Sequence, residues 1–414
     1  MFEQIFCYPL RIKELRDSLG GDLLERFAED LFHAGYSKKN ARRYIRAAEH
    51  FIYWAGEEGI PIVSFTENLV ERFGCHLNEC KCPNYDHTKQ QDLLCGVRLF
   101  LKCMKDIGEV TIAIQPIAED PVLLTEFYHW MRKNRGTSDI TLCSYGRPIR
   151  ELLKRVGNNP DNFDAKSLRQ FVLEKGQHSG RSAAKNCTAA LRMFLRFLIA
   201  EGKCAAELLA AIPTLAHWRL SSLPRHLQEE EVERIISSCD PNSPVGKRNR
   251  AILLLLARLG LRAGDIVKLR LGDIDWKDAT VQVSGKGRRA VRLPLTREVG
   301  LALVDYLKNG RPPVDTDVVF VRSRAPLRPF GSHTAISVIV ARAMRRAGVT
   351  CQSQGAAHIL RHSVATSMLR NGATLQEIAD ILRHRSVETT HIYAKVDVTT
   401  LRKIAQPWPE VHPC

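Results

Sequence analysis

The stretch Gly355-Ala-Ala-His358-Ile-Leu-Arg361-His-Ser-Val-Ala-Thr366 carries the most information in this chain of 414 residues. Its apolar spacing predicts a helix, and residues three apart on a helix share a face. His358 and Arg361 can therefore converge on one ligand. Outward from it, Leu375 to Leu382 forms a second amphipathic stretch. It leads into Leu382-Arg-His384-Arg-Ser386 and Thr389-Thr-His-Ile-Tyr393-Ala. Upstream lie Arg262, in Leu-Gly-Leu-Arg-Ala-Gly-Asp265, and Lys286, in Ser284-Gly-Lys-Gly-Arg-Arg289. The set comprises one phenol, two guanidiniums, one ammonium and two imidazoles, without an acidic metal cage.

Phosphodiester cleavage by a tyrosine needs a nucleophile in line with the leaving oxygen. It also needs positive charge on the developing phosphorane and a proton for the leaving group. Arginine suits the second task, because its planar fork pairs two phosphate oxygens and keeps its charge. Arg262 and Arg361 are the two forks. Arg262 is expected at a helix-to-helix turn with its head free, and Asp265 as a helix cap or brace. Gly285-Lys286-Gly287 lacks the glycine spacing and following Ser/Thr of a phosphate-binding P-loop. Local sequence alone reads Lys286 as a solvated hairpin lysine.

In order, spacing and flanking residues, these motifs together resemble the tyrosine recombinases of the phage-integrase family, over roughly residues 120 to 400. The resemblance implies Arg262, Lys286, His358, Arg361, His384 and Tyr393 as catalytic residues. Tyr393 would attack DNA to leave a 3′-phosphotyrosine and a free 5′-hydroxyl, with Lys286 as general acid. His358 would share a proton near the scissile phosphate, and His384 would bond a non-bridging oxygen. Because bond energy is conserved in the phosphotyrosine, no ATP, metal or other cofactor is implied. The implied partner is double-stranded DNA, held by a homo-tetramer with or without partner recombinases, as in enzymes of bacterial mobile elements. Two other readings compete: a topoisomerase-like nicking-closing enzyme, and an inactive DNA-binding accessory subunit. Intact residues at all six positions argue against the latter.

Bulk properties agree. Lys plus Arg number 61 against 45 Asp plus Glu, a net charge of +16, and such a surplus favours a polyanionic partner through counterion release. A hydrophobic content of 44% is that of a globular protein. The longest apolar run, Ala251 to Ala257, is far short of the ~20 residues that span a bilayer. The N-terminus lacks a signal peptide's basic start, and twelve cysteines scattered through helical patterns read as reduced thiols. A cytoplasmic protein is expected.

The fold expected is mainly α with a small β insert: helical SAM-like modules followed by a recombinase catalytic domain. The divisions are 1–117 for an N-terminal helical module, 118–212 for a core-binding SAM-like domain, 213–228 for a linker, and 229–414 for the catalytic domain and its tail. The two helical blocks look alike. Leu23, Leu24 and Phe27 align with Leu123, Leu124 and Phe127, and Tyr44 with Tyr145. Arg98 and Phe100 align with Arg192 and Phe194, and Gly108 with Gly202. This reads as a duplicated module, although any two amphipathic bundles share such intervals. In the second block Arg147, Arg150, Lys154, Arg155, Lys185, Arg192 and Arg196 would face the duplex. Strands are expected at Thr280–Ser284 and Arg289–Leu293, with Val318–Val321 as a third strand or a buried segment. The tail from Ala394 to Ala405 has helical spacing and leads to Pro407-Trp408-Pro409. Finally, Cys75, Cys80, Cys82 and His87 offer four potential zinc ligands within thirteen residues. Their intervals depart from zinc-finger pairing, and Cys75 and Cys80 fall where a helix would bury small thiols. No metal is expected.

Overall fold

The computed structural model describes residues 1–83, 85, 90–108, 120–214, 225–284, 290–350, 355–384 and 386–396. These fall into two compact units: residues 1–108 with 225–396, and residues 120–214.

Residues 1–108 are helical. Four helices, Gly21–His33, Lys38–Glu57, Glu67–His76 and Gln90–Ile107, enclose a core containing Leu24, Phe27, Phe51, Phe73 and Phe100. The Ser37 hydroxyl accepts from the Asn40 amide at 3.4 Å to start the second of these; a short side-chain acceptor satisfies one of the four amides that a helix start leaves open. In the other unit, helices Val122–Arg135, Asp139–Val156 and Ala165–Ala200 surround Leu124, Phe127, Phe194 and Phe197. The long third helix breaks at Gly180, whose φ of +77° only glycine adopts readily.

The two blocks share several local features. Phe27 meets Phe100 edge-to-face at 5.4 Å, and Phe127 meets Phe194 edge-to-face at 5.6 Å. Ser37 and Ser138 each precede a helix. Gly35, Gly136, Gly108 and Gly202 all have positive φ, the left-handed turn that commonly ends a helix.

From Leu227 onward a third core forms. Glu229–Ser237 opens with three glutamates at its positive dipole end. Helix Pro244–Ala257 is buried nearly all round, with Leu253 to Leu256 fully inaccessible, so it packs at the domain's centre. A three-stranded antiparallel sheet follows: β1 (Ile274–Asp275), β2 (Thr280–Ser284) and β3 (Ala290–Pro294) in that order, with Val281 opposite Leu293 and Ser284 opposite Ala290. Val318–Val321 is not its third strand. That segment is mostly buried and makes isolated bridges, Val318 to Arg270 and Val321 to Pro329; its apolar run fills the core rather than an edge. Helices Arg297–Asn309, Thr334–Arg346, Ala356–Arg370 and Leu375–Ile381 complete the domain, and two 3-10 turns, Val387–Thr389 and His391–Val396, carry Tyr393. Among the described residues no helix is long and apolar enough to cross a membrane. Most of the expected linker and the tail beyond Val396 lie outside the described residues.

Candidate active site

Five of the six expected residues lie among the described residues, and the fold gathers them from four segments. Lys286 lies outside them, between β2 and β3. Arg262 precedes helix Ala263–Lys268, and its own amide donates to the Asp265 carboxylate at 3.1 Å. Asp265 thus caps that helix. Its ion pair, however, is made with Arg383 at 2.6 Å rather than with Arg262. The Arg262 head is not free, since it donates to the carbonyls of Leu382, at 3.4 Å, and Arg383, at 2.9 Å.

Arg361 comes from the second turn of helix Ala356–Arg370 and is 5% exposed. Its two terminal nitrogens bond the carbonyls of Gly260 and Leu382. The Leu382 carbonyl therefore accepts from both forks, which fixes Arg262 and Arg361 side by side. Gly260 has a φ of +57°, and its turn brings that carbonyl to Arg361. Arg383 stands beside them at a φ of +54°, unusual for a side-chain-bearing residue, and lies almost wholly buried.

Three guanidiniums thus crowd together against the Asp265 carboxylate. Burial first, and then Arg262 and Arg383, push Arg361 down to about 9. Burial and then Arg383 lower Arg262, which Asp265 partly offsets. Arginine side chains keep their charge at neutral pH. A half-enclosed site with more fixed positive than negative charge favours an anion, because like charges there repel with little water to screen them.

His384 follows Arg383, and its Nδ1 lies 2.7 Å from the Thr390 hydroxyl, itself fully buried. Burial, then Arg361 and Arg262, hold this imidazole down to about 4. His358 lies in the first turn of helix Ala356–Arg370 and is exposed as a residue. Partial enclosure of its ring, followed by Arg361, lowers it as well. Tyr393 is 1% exposed and packs on Ala365, Ile378 and Leu382. Burial pushes its phenol up to about 12, while Arg361 pulls in the opposite direction.

Sequence reasoning missed two members of this site. His362 has its Nδ1 2.7 Å from the Tyr393 hydroxyl, and burial, His358 and Arg361 hold it down to about 4. It is therefore neutral at pH 7, and in its Nε2–H tautomer its Nδ1 accepts from the phenol. The signal was present, since His362 is four residues from His358 and shares its face. The other is Arg383, whose burial against Asp265 depends on a chain reversal that no local pattern announces.

In the second helical unit Arg147, Lys154 and Lys185 are exposed. Two others are engaged with acids: Arg150 with Asp120 at 2.6 Å and Arg155 with Glu174 at 2.5 Å. Arg192 bonds Thr214 at 2.9 Å.

A helical catalytic domain with a small sheet and a Tyr–His–Arg cluster defines the class, and comparison with known proteins agrees. Residues 225–399 match the model of the phage integrase family, and residues 124–202 match its N-terminal SAM-like domain. The chain is 36% identical to the putative integrase/recombinase y4rA of Sinorhizobium fredii (strain NBRC 101917 / NGR234), over 92% of this chain and 93% of that one. It is 29% identical to the tyrosine recombinase XerD of Listeria innocua, over 70% and 98% respectively. Among solved structures it is similar to the XerH site-specific recombinase bound to its difH substrate, with a TM-score of 0.54 at 23% identity over 84% of this chain and 98% of that one. This chain belongs to the phage integrase family of tyrosine recombinases, whose members are DNA strand-transferring enzymes.

Proposed function

We propose that the chain is a site-specific recombinase that cuts and rejoins double-stranded DNA through a 3′-phosphotyrosine on Tyr393. The observation that carries this is the convergence of Arg262 and Arg361 on the Leu382 carbonyl, beside Arg383 and His384. A scissile phosphate placed there meets two charge-assisted forks, and supplies the negative charge that the cluster lacks.

The arrangement of the described residues supports the roles that follow, and the family resemblance supports that of Lys286. With Nδ1 of His384 engaged by Thr390, Nε2 is the nitrogen left for a phosphate oxygen. His362 accepts the phenolic proton as Tyr393 attacks, which its neutral state permits. His358, nearer solvent, shares protons around the phosphate, and Lys286 protonates the leaving 5′-oxygen. Tyr393 is packed inward in this structure, so attack requires the His391–Val396 turn to move the phenol toward DNA. The bond broken in DNA is replaced by one to tyrosine, and a 5′-hydroxyl from another strand reverses the step. Exchange between two duplexes uses four such sites, hence a tetramer on DNA.

We read residues 1–117 as a second copy of the SAM-like module, on the strength of the paired Phe27–Phe100 and Phe127–Phe194 contacts. Both copies carry basic residues at matching positions: Arg46 with Arg147, Arg98 with Arg192, and Lys102 with Arg196. Incubation with a nicked suicide duplex tests the main reading. An active enzyme becomes covalently joined to DNA, Tyr393→Phe does not, and both bind the duplex alike. Attachment by the variant would remove Tyr393 from its role.

A further inference from the structure

Outside the active site, the N-terminal module brings four metal-binding side chains to one point. They are His50 from helix Lys38–Glu57, His76 from the end of helix Glu67–His76, and Cys80 and Cys82 from the irregular segment that follows. One ligand atom from each lies within 4.8 Å of all the others. The set differs from the one that local spacing suggested. Cys75 sits on the helix with its side chain exposed and takes no part, and His87 lies outside the described residues. Nor is Cys80 buried in a helix; it is half-buried in the loop beyond one.

The detailed distances fit a tetrahedral centre. Nε2 of His50 is 3.4 Å from Sγ of Cys80, and Nε2 of His76 is 3.3 Å from Sγ of Cys82. With Zn–S near 2.3 Å and Zn–N near 2.05 Å, the edges of a tetrahedron are about 3.3–3.8 Å. Both measured pairs agree, and the widest separation closes with side-chain shifts of about 1 Å. The Cys82 amide donates to the Cys80 sulfur at 3.4 Å, the kind of outer bond that steadies a thiolate ligand. His50 is 3% exposed and is held between Phe73, at 5.1 Å, and a stacked Tyr85, at 4.2 Å. Its ring is therefore oriented in advance. Two thiols and two imidazoles converging on one point are the donor set that a tetrahedral zinc site uses.

We propose that His50, His76, Cys80 and Cys82 bind a structural zinc ion that fastens the loop after His76 to helix Lys38–Glu57. Four protein ligands leave no open position, so the ion is structural rather than catalytic. It anchors residues 77–83, which have no regular secondary structure to hold them. Soft thiolates with imidazoles select zinc over magnesium or calcium. The strand-transfer chemistry assigned to Tyr393 does not depend on it.

The test uses tag-free, full-length protein, purified under reducing conditions without chelator. Elemental analysis is expected to give roughly one zinc per chain. Cobalt(II) titrated into chelator-stripped protein should give tetrahedral d–d bands and a thiolate charge-transfer band. Cys82→Ser and His76→Ala should lose the zinc and weaken or shift those bands, whereas Cys75→Ser keeps both. Chelation should lower the melting temperature of the wild-type protein but not that of Cys82→Ser. Because the cobalt spectrum is read on the wild-type chain, a misfolded variant does not leave the matter open. Substoichiometric zinc together with no tetrahedral cobalt spectrum would overturn the proposal. So would zinc loss in Cys75→Ser equal to that in Cys82→Ser.

Discussion

Replacing Arg262 by alanine separates the forks' catalytic contribution from their structural one. In the folded protein its head group donates to two carbonyls, those of Leu382 and Arg383. The Leu382 carbonyl keeps Arg361 as donor when Arg262 is removed. Only the Arg383 carbonyl loses a charged partner, so the stability cost is about 1–2 kcal/mol. Repulsion among the three guanidiniums is relieved at the same time, which offsets part of that cost. In the transition state the loss is larger. One preorganised donor to a developing oxyanion contributes about 3–4 kcal/mol, or about 10²–10³ in rate. Single-turnover formation of the covalent complex on a nicked suicide duplex, with enzyme in excess, measures the rate. Thermal unfolding measures stability in parallel. Cleavage within a few-fold of wild type, at unchanged DNA binding, would refute the placement of Arg262 on the phosphate. A collapse in melting temperature with no separate rate defect would make it a structural residue instead.

Other consequences follow from the same geometry. Lys286→Ala should cleave poorly on normal DNA yet recover on a substrate whose 5′-bridging oxygen is sulfur, which leaves without a proton; equal rescue of Arg262→Ala would contradict the division of roles. His362 and His384 are held near 4 in the folded chain, against about 6.5 unfolded. The unfolded state therefore binds more protons between those values, and stability, full above pH 6.5, is lost as pH falls toward 4. Denaturant unfolding should show the two histidines costing about 1–2 kcal/mol by pH 5, allowing for their partial solvation, and a double His→Gln variant with an unchanged pH slope would count against it. If the first helical block grips DNA, joint replacement of Arg46, Arg98 and Lys102 by alanine should flatten the salt dependence of binding, by up to about 0.9 for each phosphate no longer neutralised. An unchanged slope without the multimer on DNA would make this block a protein-binding module. Substitution is preferable to truncation here, because the Leu327 amide bonds the Ala34 carbonyl at 2.9 Å.

Much of this was legible in the sequence because it is local. The His358–Arg361 spacing, the apolar steps around Leu375–Leu382 and the alternation of β2 and β3 each set a period that the backbone obeys. What escaped depends on distant segments meeting. Arg262 looked free because its carbonyl partners lie 120 and 121 positions away. Arg383 drew no role of its own in the sequence, and only the turn after Ile381 brings it against Asp265. Between the two readings left open for Val318–Val321, the buried segment holds: it makes single bridges to Arg270 and Pro329 without joining the sheet. Sequence proximity grouped Cys75 with Cys80 and Cys82, whereas among the described residues the fold sets Cys80 and Cys82 beside His50 and His76 and leaves Cys75 apart; His50 comes from a helix that no cysteine spacing implicates.

The central claim is that Tyr393 becomes joined to DNA. Trapping the covalent complex on a nicked suicide duplex, digesting it with nuclease and protease, and sequencing the nucleotide-bearing peptide by mass spectrometry tests it directly. The expected result is one modified peptide, with a 3′-phosphonucleotide on Tyr393. A nucleotide on any other residue, or attachment through a 5′-phosphate, would contradict the account.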